Sequence, residues 1–124
     1  MAQEDKELLL KDICARLPYG VRCRVVKRSI DGEMLFIRNG LTLTFDNIKE
    51  LVTNNMYEIK PYLFPLSSMT EEQNIEWQLL MVRDSYGILY HTIDSFDYLY
   101  KNHIDIRGLI PMGLAIDATN LDIY

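Results

Sequence analysis

The chain has 124 residues, 48% of them hydrophobic and 25% charged, and a formal net charge of −5. This composition fits one globular domain and excludes wholesale disorder. No apolar run reaches the length of a membrane span, and the N-terminal stretch MAQEDKELLL is too acidic for a signal peptide, so we expect a cytoplasmic protein. The two cysteines, Cys14 and Cys23, lack metal-ligand spacing, and we expect both to be buried free thiols.

The first element is a helix over residues 4–17. Leu10, Ile13, Cys14 and Leu17 recur at helical spacing, and Pro18 ends the pattern.

A three-stranded antiparallel β-meander follows over residues 21–46. Asp31-Gly32 and Asn39-Gly40 are pairs typical of two-residue hairpin turns, and each is flanked by apolar runs. Closing both turns predicts that Met34 faces Ser29 and that Phe36 faces Lys27. The same register predicts a core-facing side made of Val21, Cys23, Val25, Met34, Phe36, Leu41, Leu43 and Phe45.

The rest of the chain reads as short helices and irregular segments. We expect a short helix over residues 47–52 capped by Asp46, a strand over residues 56–60, and a proline-containing connector. A second main helix starts at a capping box, either Ser68 with Glu71 or Thr70 with Gln73, and its apolar body extends to Asp84. A third covers residues 92–102, followed by a turn and a short extended piece at 114–117. The sequence therefore predicts one α+β domain whose small bent sheet or partial barrel is followed by two helices and an irregular C-terminal tail.

Two stretches, KPYLFPLSSMTEEQ at residues 60–73 and FDYLYKNHIDIRGLIPMGLAID at residues 96–117, carry a family resemblance. They resemble a family of small uncharacterised proteins of gut bacterial genomes and of the prophages and mobile elements within them. The resemblance implies a bacterial or phage accessory protein. It implies no catalytic residue, cofactor or metal.

Protein interaction is the leading functional hypothesis. The predicted second helix is apolar nearly all round from Leu79 to Val82, which is typical of a helix that is buried on two sides or meets a partner. The polar run at residues 103–108 is either a turn fixed by an Asp105–Arg107 pair or a recognition surface. We therefore predict self-association or protein-partner binding by a non-enzymatic protein that uses Trp77, Leu80, Met81, His103, Asp105 and Arg107.

Nucleic-acid binding is the alternative. Arg22, Arg24 and Arg28 fall on one face of the predicted sheet, with Lys27 at the strand end. That face lacks aromatic residues that stack on bases, and a pI near 4.9 opposes phosphate binding.

A metal-dependent enzyme is the third hypothesis. His91, His103 and Asp105, with Asp94 and Asp97 nearby, are the only candidates, and their spacing matches no recognised metal motif. Since His103 ends the apolar stripe of the third helix, we expect it to bond the last carbonyls and to favour the helix dipole.

Overall fold

The structure is a computed structural model that describes residues 2–124, apart from the side chains of residues 49, 52 and 53. Its helices are α1 (Gln3–Arg16), α2 (Phe45–Thr53), α3 (Glu71–Leu79) and α4 (Ile93–Lys101). Its strands are β1 (Arg22–Arg28), β2 (Met34–Thr42), β3 (Tyr57–Leu63), β4 (Val82–Arg83), β5 (Leu89–Tyr90) and β6 (Ile116–Asp117). The predicted α+β class is confirmed. Among the described residues, no helix is long and apolar enough to span a membrane.

The first hairpin forms where the sequence predicts it. β1 and β2 pair antiparallel, and Phe36 faces Lys27 as expected. The turn itself holds three residues rather than two, because Ser29 pairs with Glu33 around a left-handed Gly32 (φ 84°). Met34 consequently faces Arg28 and not Ser29.

The second predicted hairpin turn is wrong. Asn39 and Gly40 lie inside β2, at a bulge where two residues of β2 oppose Arg24 alone. The positive φ of Gly40 (72°) therefore serves the bulge. The chain runs on to Thr44, which forms a capping box with Asn47 and starts α2, so Thr44 and not Asp46 is the N-cap.

The third antiparallel strand of the sheet is β3, which contains the segment predicted at residues 56–60. β3 pairs with β1, and β6 adds to β3 in parallel, so the strand order is β2-β1-β3-β6. The sheet is open, with β2 and β6 at its edges. This order corrects the meander, in which the third strand would pair with β2.

The main core lies between α1, α2 and one face of the sheet. Leu9, Ile13 and Leu17 of the first helical segment are buried there with residues of β1 and β3. The complete buried cluster is Leu9, Ile13, Leu17, Val21, Cys23, Val25, Leu43, Ile48, Ile59, Leu63, Leu109, Leu114 and Ala115. Cys14 is exposed, contrary to expectation, because Asp12 and Arg16 occupy the flank of the α1 stripe instead.

Three residues predicted to face the core are exposed. Met34 and Phe36 are 54% and 45% exposed because β2 is an edge strand, and Phe45 is 74% exposed at the first turn of α2. The burial of Val21, Cys23, Val25 and Leu43 on the predicted face is confirmed.

The second helix begins as predicted and ends early. Thr70 and Gln73 form its capping box, with the Gln73 side chain accepting from the Thr70 amide (2.9 Å). α3 stops at Leu79, and the chain turns into a β4–β5 hairpin instead of continuing to Asp84. The third helix is confirmed, with Thr92 as its N-cap and Asn102 as its C-cap.

Candidate protein-interaction surface

Residues 70–101 form a helix–hairpin unit made of α3, β4, β5 and α4. The Thr92 hydroxyl donates to the Leu80 carbonyl (2.6 Å) and ties the start of α4 to the end of α3. The Tyr98 hydroxyl donates to the Glu76 carboxylate (2.7 Å) and joins the two helices further along. Burial, followed by this bond and the charge of Glu76, raises the pKa of Tyr98 to about 12, so Tyr98 stays a hydrogen-bond donor.

The interior of this unit is small. Within residues 70–101 only Ser95 and Leu99 are buried. Leu99 forms a small buried cluster with Met69 and Ile104, which lie just outside the unit, and Phe64, Trp77, Tyr98 and Ile106 pack against this cluster. An aromatic row covers one side, with the Trp77 ring 5.5 Å from His91 and the His91 ring stacked 4.5 Å from Phe96. Trp77 is the only tryptophan of the chain, so its fluorescence reports on this unit alone.

The outside of the unit is strongly apolar. Leu79 and Ile93 are 79% and 81% exposed, although each lies on a helix that packs against the other helix. The exposed apolar and aromatic side chains of the unit are Ile75, Leu79, Leu80, Val82, Tyr86, Ile88, Tyr90, Ile93 and Phe96. Isolated exposed apolar residues are ordinary, whereas contiguous exposed apolar patches are typical of interaction sites.

A groove adjoins this surface at Ile75 and Leu79. It has a volume of about 320 Å³ and lies between α3 and the β4–β5 hairpin. Its lining residues are Ile75, Gln78, Leu79, Met81, Arg83 and Leu89. Leu79 therefore belongs both to the apolar surface and to the groove wall.

The helix–hairpin unit carries a net negative charge. Residues 70–101 hold six acidic side chains (Glu71, Glu72, Glu76, Asp84, Asp94 and Asp97) and two basic ones (Arg83 and Lys101). The Ile88 amide and further bonds from the hairpin lower the pKa of Asp84 and keep it ionised. The unit is thus an apolar surface in a negative field.

The predicted partner-binding residues divide into two groups. Trp77, Leu80 and Met81 lie in the helix–hairpin unit, where Leu80 is exposed and Met81 lines the groove. They lie in α3 and the turn after it, rather than in one helix to Val82. His103, Asp105 and Arg107 lie elsewhere, in the segment that follows α4.

Asp105 and Arg107 do not form the predicted pair. The buried Asp105 carboxylate accepts from the Leu109 and Ile110 amides, both at 2.9 Å, and fixes the turn. Arg107 turns the other way and donates to the Tyr100 hydroxyl (3.1 Å). Asp105 thus fixes the turn through backbone amides rather than through Arg107.

α1 contains a buried ion pair that was not predicted from the sequence. Arg16 and Asp12 are both fully buried, and Arg16 Nε donates to Asp12 Oδ2 (2.8 Å). Arg16 also donates to the Ile104 carbonyl (2.6 Å) and lies over the Tyr100 ring (5.1 Å). Arg107 Nε lies 3.4 Å from Asp12 Oδ1. The only sequence signal was an i, i+4 acid–base pair beside the apolar stripe, a pattern that usually marks a solvated helix face.

His103 has no dipole role. Its ring stacks on Tyr124 at 3.6 Å, and burial, followed by the charge of Arg16, lowers the pKa of His103 to about 4. The ring is therefore neutral near pH 7, and its buried Nδ1 has no hydrogen-bond partner among the described residues. This corrects the expected bond to the last helix carbonyls.

The three candidate metal ligands do not form a site. His91 packs in the aromatic row, His103 on Tyr124, and Asp105 on backbone amides. Within residues 2–124 as described, no group of three or more His, Cys, Asp or Glu side chains is placed to hold a metal ion.

The basic residues of β1 are partly engaged within the chain. Arg22 Nη1 donates to the Ile123 carbonyl (2.8 Å), and Arg28 lies 3.6 Å from the Glu58 carboxylate. Lys27 lies over the Tyr57 ring (5.5 Å), while Arg24 is half-buried. Nucleic-acid binding by these residues stays a prediction.

Comparisons with protein-family models, with curated proteins and with solved structures gave no match to this chain. The resemblance to small proteins of gut bacteria and their prophages stays a prediction.

Proposed function

We propose that this chain is a non-enzymatic accessory protein that binds a protein partner through the helix–hairpin unit. The single observation that carries the proposal is the exposed apolar surface of residues 70–101, where Leu79 and Ile93 are 79% and 81% exposed to solvent. A bacterial or prophage setting rests only on the sequence resemblance given above.

The charge of the unit indicates which kind of partner it favours. The groove is lined mainly by apolar side chains, together with Gln78 and Arg83. The unit as a whole holds six acidic side chains against two basic ones, which favours an apolar segment that carries basic residues. A basic amphipathic helix meets both conditions, because its apolar face covers the groove while the net negative charge of the unit attracts its lysines or arginines. Burial of the apolar side chains supplies affinity, and the charges set orientation and association rate.

A titration with a synthetic amphipathic leucine–lysine helix tests this proposal. We expect the peptide to change the Trp77 emission saturably, and salt to weaken the binding because the charge contribution is screened. The double variant Leu79→Ser/Ile93→Ser removes two exposed apolar groups, so its fold is retained and its affinity falls at least about tenfold.

The matched control is Leu35→Ser, which removes an equally apolar exposed side chain from β2. It is expected to bind the peptide like the wild type. Equal affinity in all three proteins, or no change in Trp77 emission at low salt, would overturn the proposal.

A further inference from the structure

The edge strand β2 is a second unpartnered surface, distant in sequence from the helix–hairpin unit. Met34, Leu35, Phe36 and Ile37 are each about half exposed, on both faces of the strand. Natural edge strands are usually short, charged or interrupted by proline. β2 has nine residues, and residues 34–37 are all apolar, although its pairing with β1 is bulged at Leu35 and at Asn39-Gly40. Such an edge is a template for another strand.

The free backbone groups of this edge follow from the pairing pattern. The Arg28 amide donates to the Met56 carbonyl (2.8 Å), so the even-numbered residues of β1 bond to β3 and the odd-numbered ones bond to β2. Their partners on β2 are Phe36 and Arg38. Ile37, between these two, therefore points its N–H and C=O away from β1, toward the open side of the sheet.

We propose that a second copy of this chain pairs antiparallel along β2, joining two four-stranded sheets edge to edge. Glu33 and Arg38 carry opposite charges at the two ends of the apolar stretch. Antiparallel self-pairing brings Glu33 of each copy toward Arg38 of the other and sets the apolar stretches side by side. The strand is thus complementary to itself in both charge and hydrophobicity.

The opposite edge of the sheet explains why this assembly closes at two copies. β6 has only two residues, and they already pair in parallel with β3. A twofold-symmetric pair covers β2 of both copies. Residues 57–61 of β3, which β6 does not cover, include Glu58, Lys60 and Pro61, and charges and proline disfavour strand addition there.

Light scattering of the full chain, combined with amide hydrogen exchange, tests this proposal. We expect twice the chain mass of 14.5 kDa and a protected Ile37 amide, since pairing buries that N–H. Ile37→Pro removes the outward N–H without removing a bond to β1, because edge strands tolerate proline at such positions. We expect light scattering of this variant to give the mass of one chain.

Ile37→Lys is the second variant, which keeps the amide and places a charge on the edge; it is also expected to be monomeric while keeping the wild-type circular dichroism. A wild-type monomer at all concentrations, or a folded Ile37→Lys dimer, would overturn the proposal. A dimer lost only in Leu79→Ser/Ile93→Ser would do the same, and would assign self-association to the helix–hairpin unit.

Discussion

The two halves of this protein use similar apolar content in different ways. In the first, α1 and α2 cover a sheet face, and residues 9–63 supply ten of the thirteen described residues of the main buried cluster, the other three being Leu109, Leu114 and Ala115. In the second, two nine-residue helices and a two-residue ladder enclose a buried centre of three residues. A sheet face offers a broad surface on which helices bury their apolar stripes, whereas two short helices cannot cover each other on all sides. The apolar residues that stay exposed in the second half are the basis of the proposed partner surface.

The largest expected effect concerns the ion pair that connects these halves. Asp12→Ala leaves the fully buried Arg16 without its carboxylate, between α1 and the segment after α4. We expect a loss of about 3–5 kcal/mol in the free energy of unfolding, because an uncompensated buried charge is costly. Urea unfolding measures this loss.

The control on the same helix is Glu7→Ala, which changes an exposed acid and is expected to cost less than about 0.5 kcal/mol. If Asp12→Ala is no more destabilising than Glu7→Ala, the ion pair does not hold the two halves together.

A smaller effect is expected from pH, at the contact between His103 and the C-terminal Tyr124. His103 has a pKa of about 4 in the folded chain against 6.5 when unperturbed, so the unfolded chain takes up the proton first as the pH falls. The contribution of His103 to stability is complete above pH 6.5 and is lost as the pH falls toward about 4. We expect a loss of about 1–2 kcal/mol, less than the full shift implies because the ring is partly exposed to solvent.

Urea unfolding of the wild type and of His103→Asn across this pH range isolates the effect. Asparagine tolerates the positive φ of residue 103 (59°) and does not titrate. Parallel pH profiles for the two proteins would show that protonation of His103 is not linked to folding.

The elements that the sequence predicted well are those with local signals. α1 has an apolar stripe and a proline stop, α4 has its Thr92 cap, and the first hairpin has Asp31-Gly32. Asn39-Gly40 misled because a left-handed glycine suits a bulge as well as a turn, and only pairing with β1 decides between them. The end of α3 was missed because the Asp84 carboxylate, which accepts from the Tyr86 and Ile88 amides, stabilises a hairpin turn instead.

The candidate site was predicted only in part, because local sequence patterns do not show which side chains are exposed in the folded chain. The apolar run from Leu79 to Val82 is visible in the sequence, and it lies in the helix–hairpin unit. Which of its side chains reach water depends on how α3 meets α4, so the exposure of Leu79 and Ile93 could not be predicted from periodicity. Asp12 and Arg16 were missed because their burial needs Ile104, which is distant in the chain.

The most direct test compares one leucine on each helix of the helix–hairpin unit. Leu99 on α4 is 1% exposed and Leu79 on α3 is 79% exposed. We expect Leu99→Ala to cost about 2–5 kcal/mol in the free energy of unfolding, and Leu79→Ala less than about 0.5 kcal/mol, because only the first opens a cavity. Equal losses would mean that Leu79 belongs to the core of the chain itself, and would contradict the account of residues 70–101 as a surface for a partner.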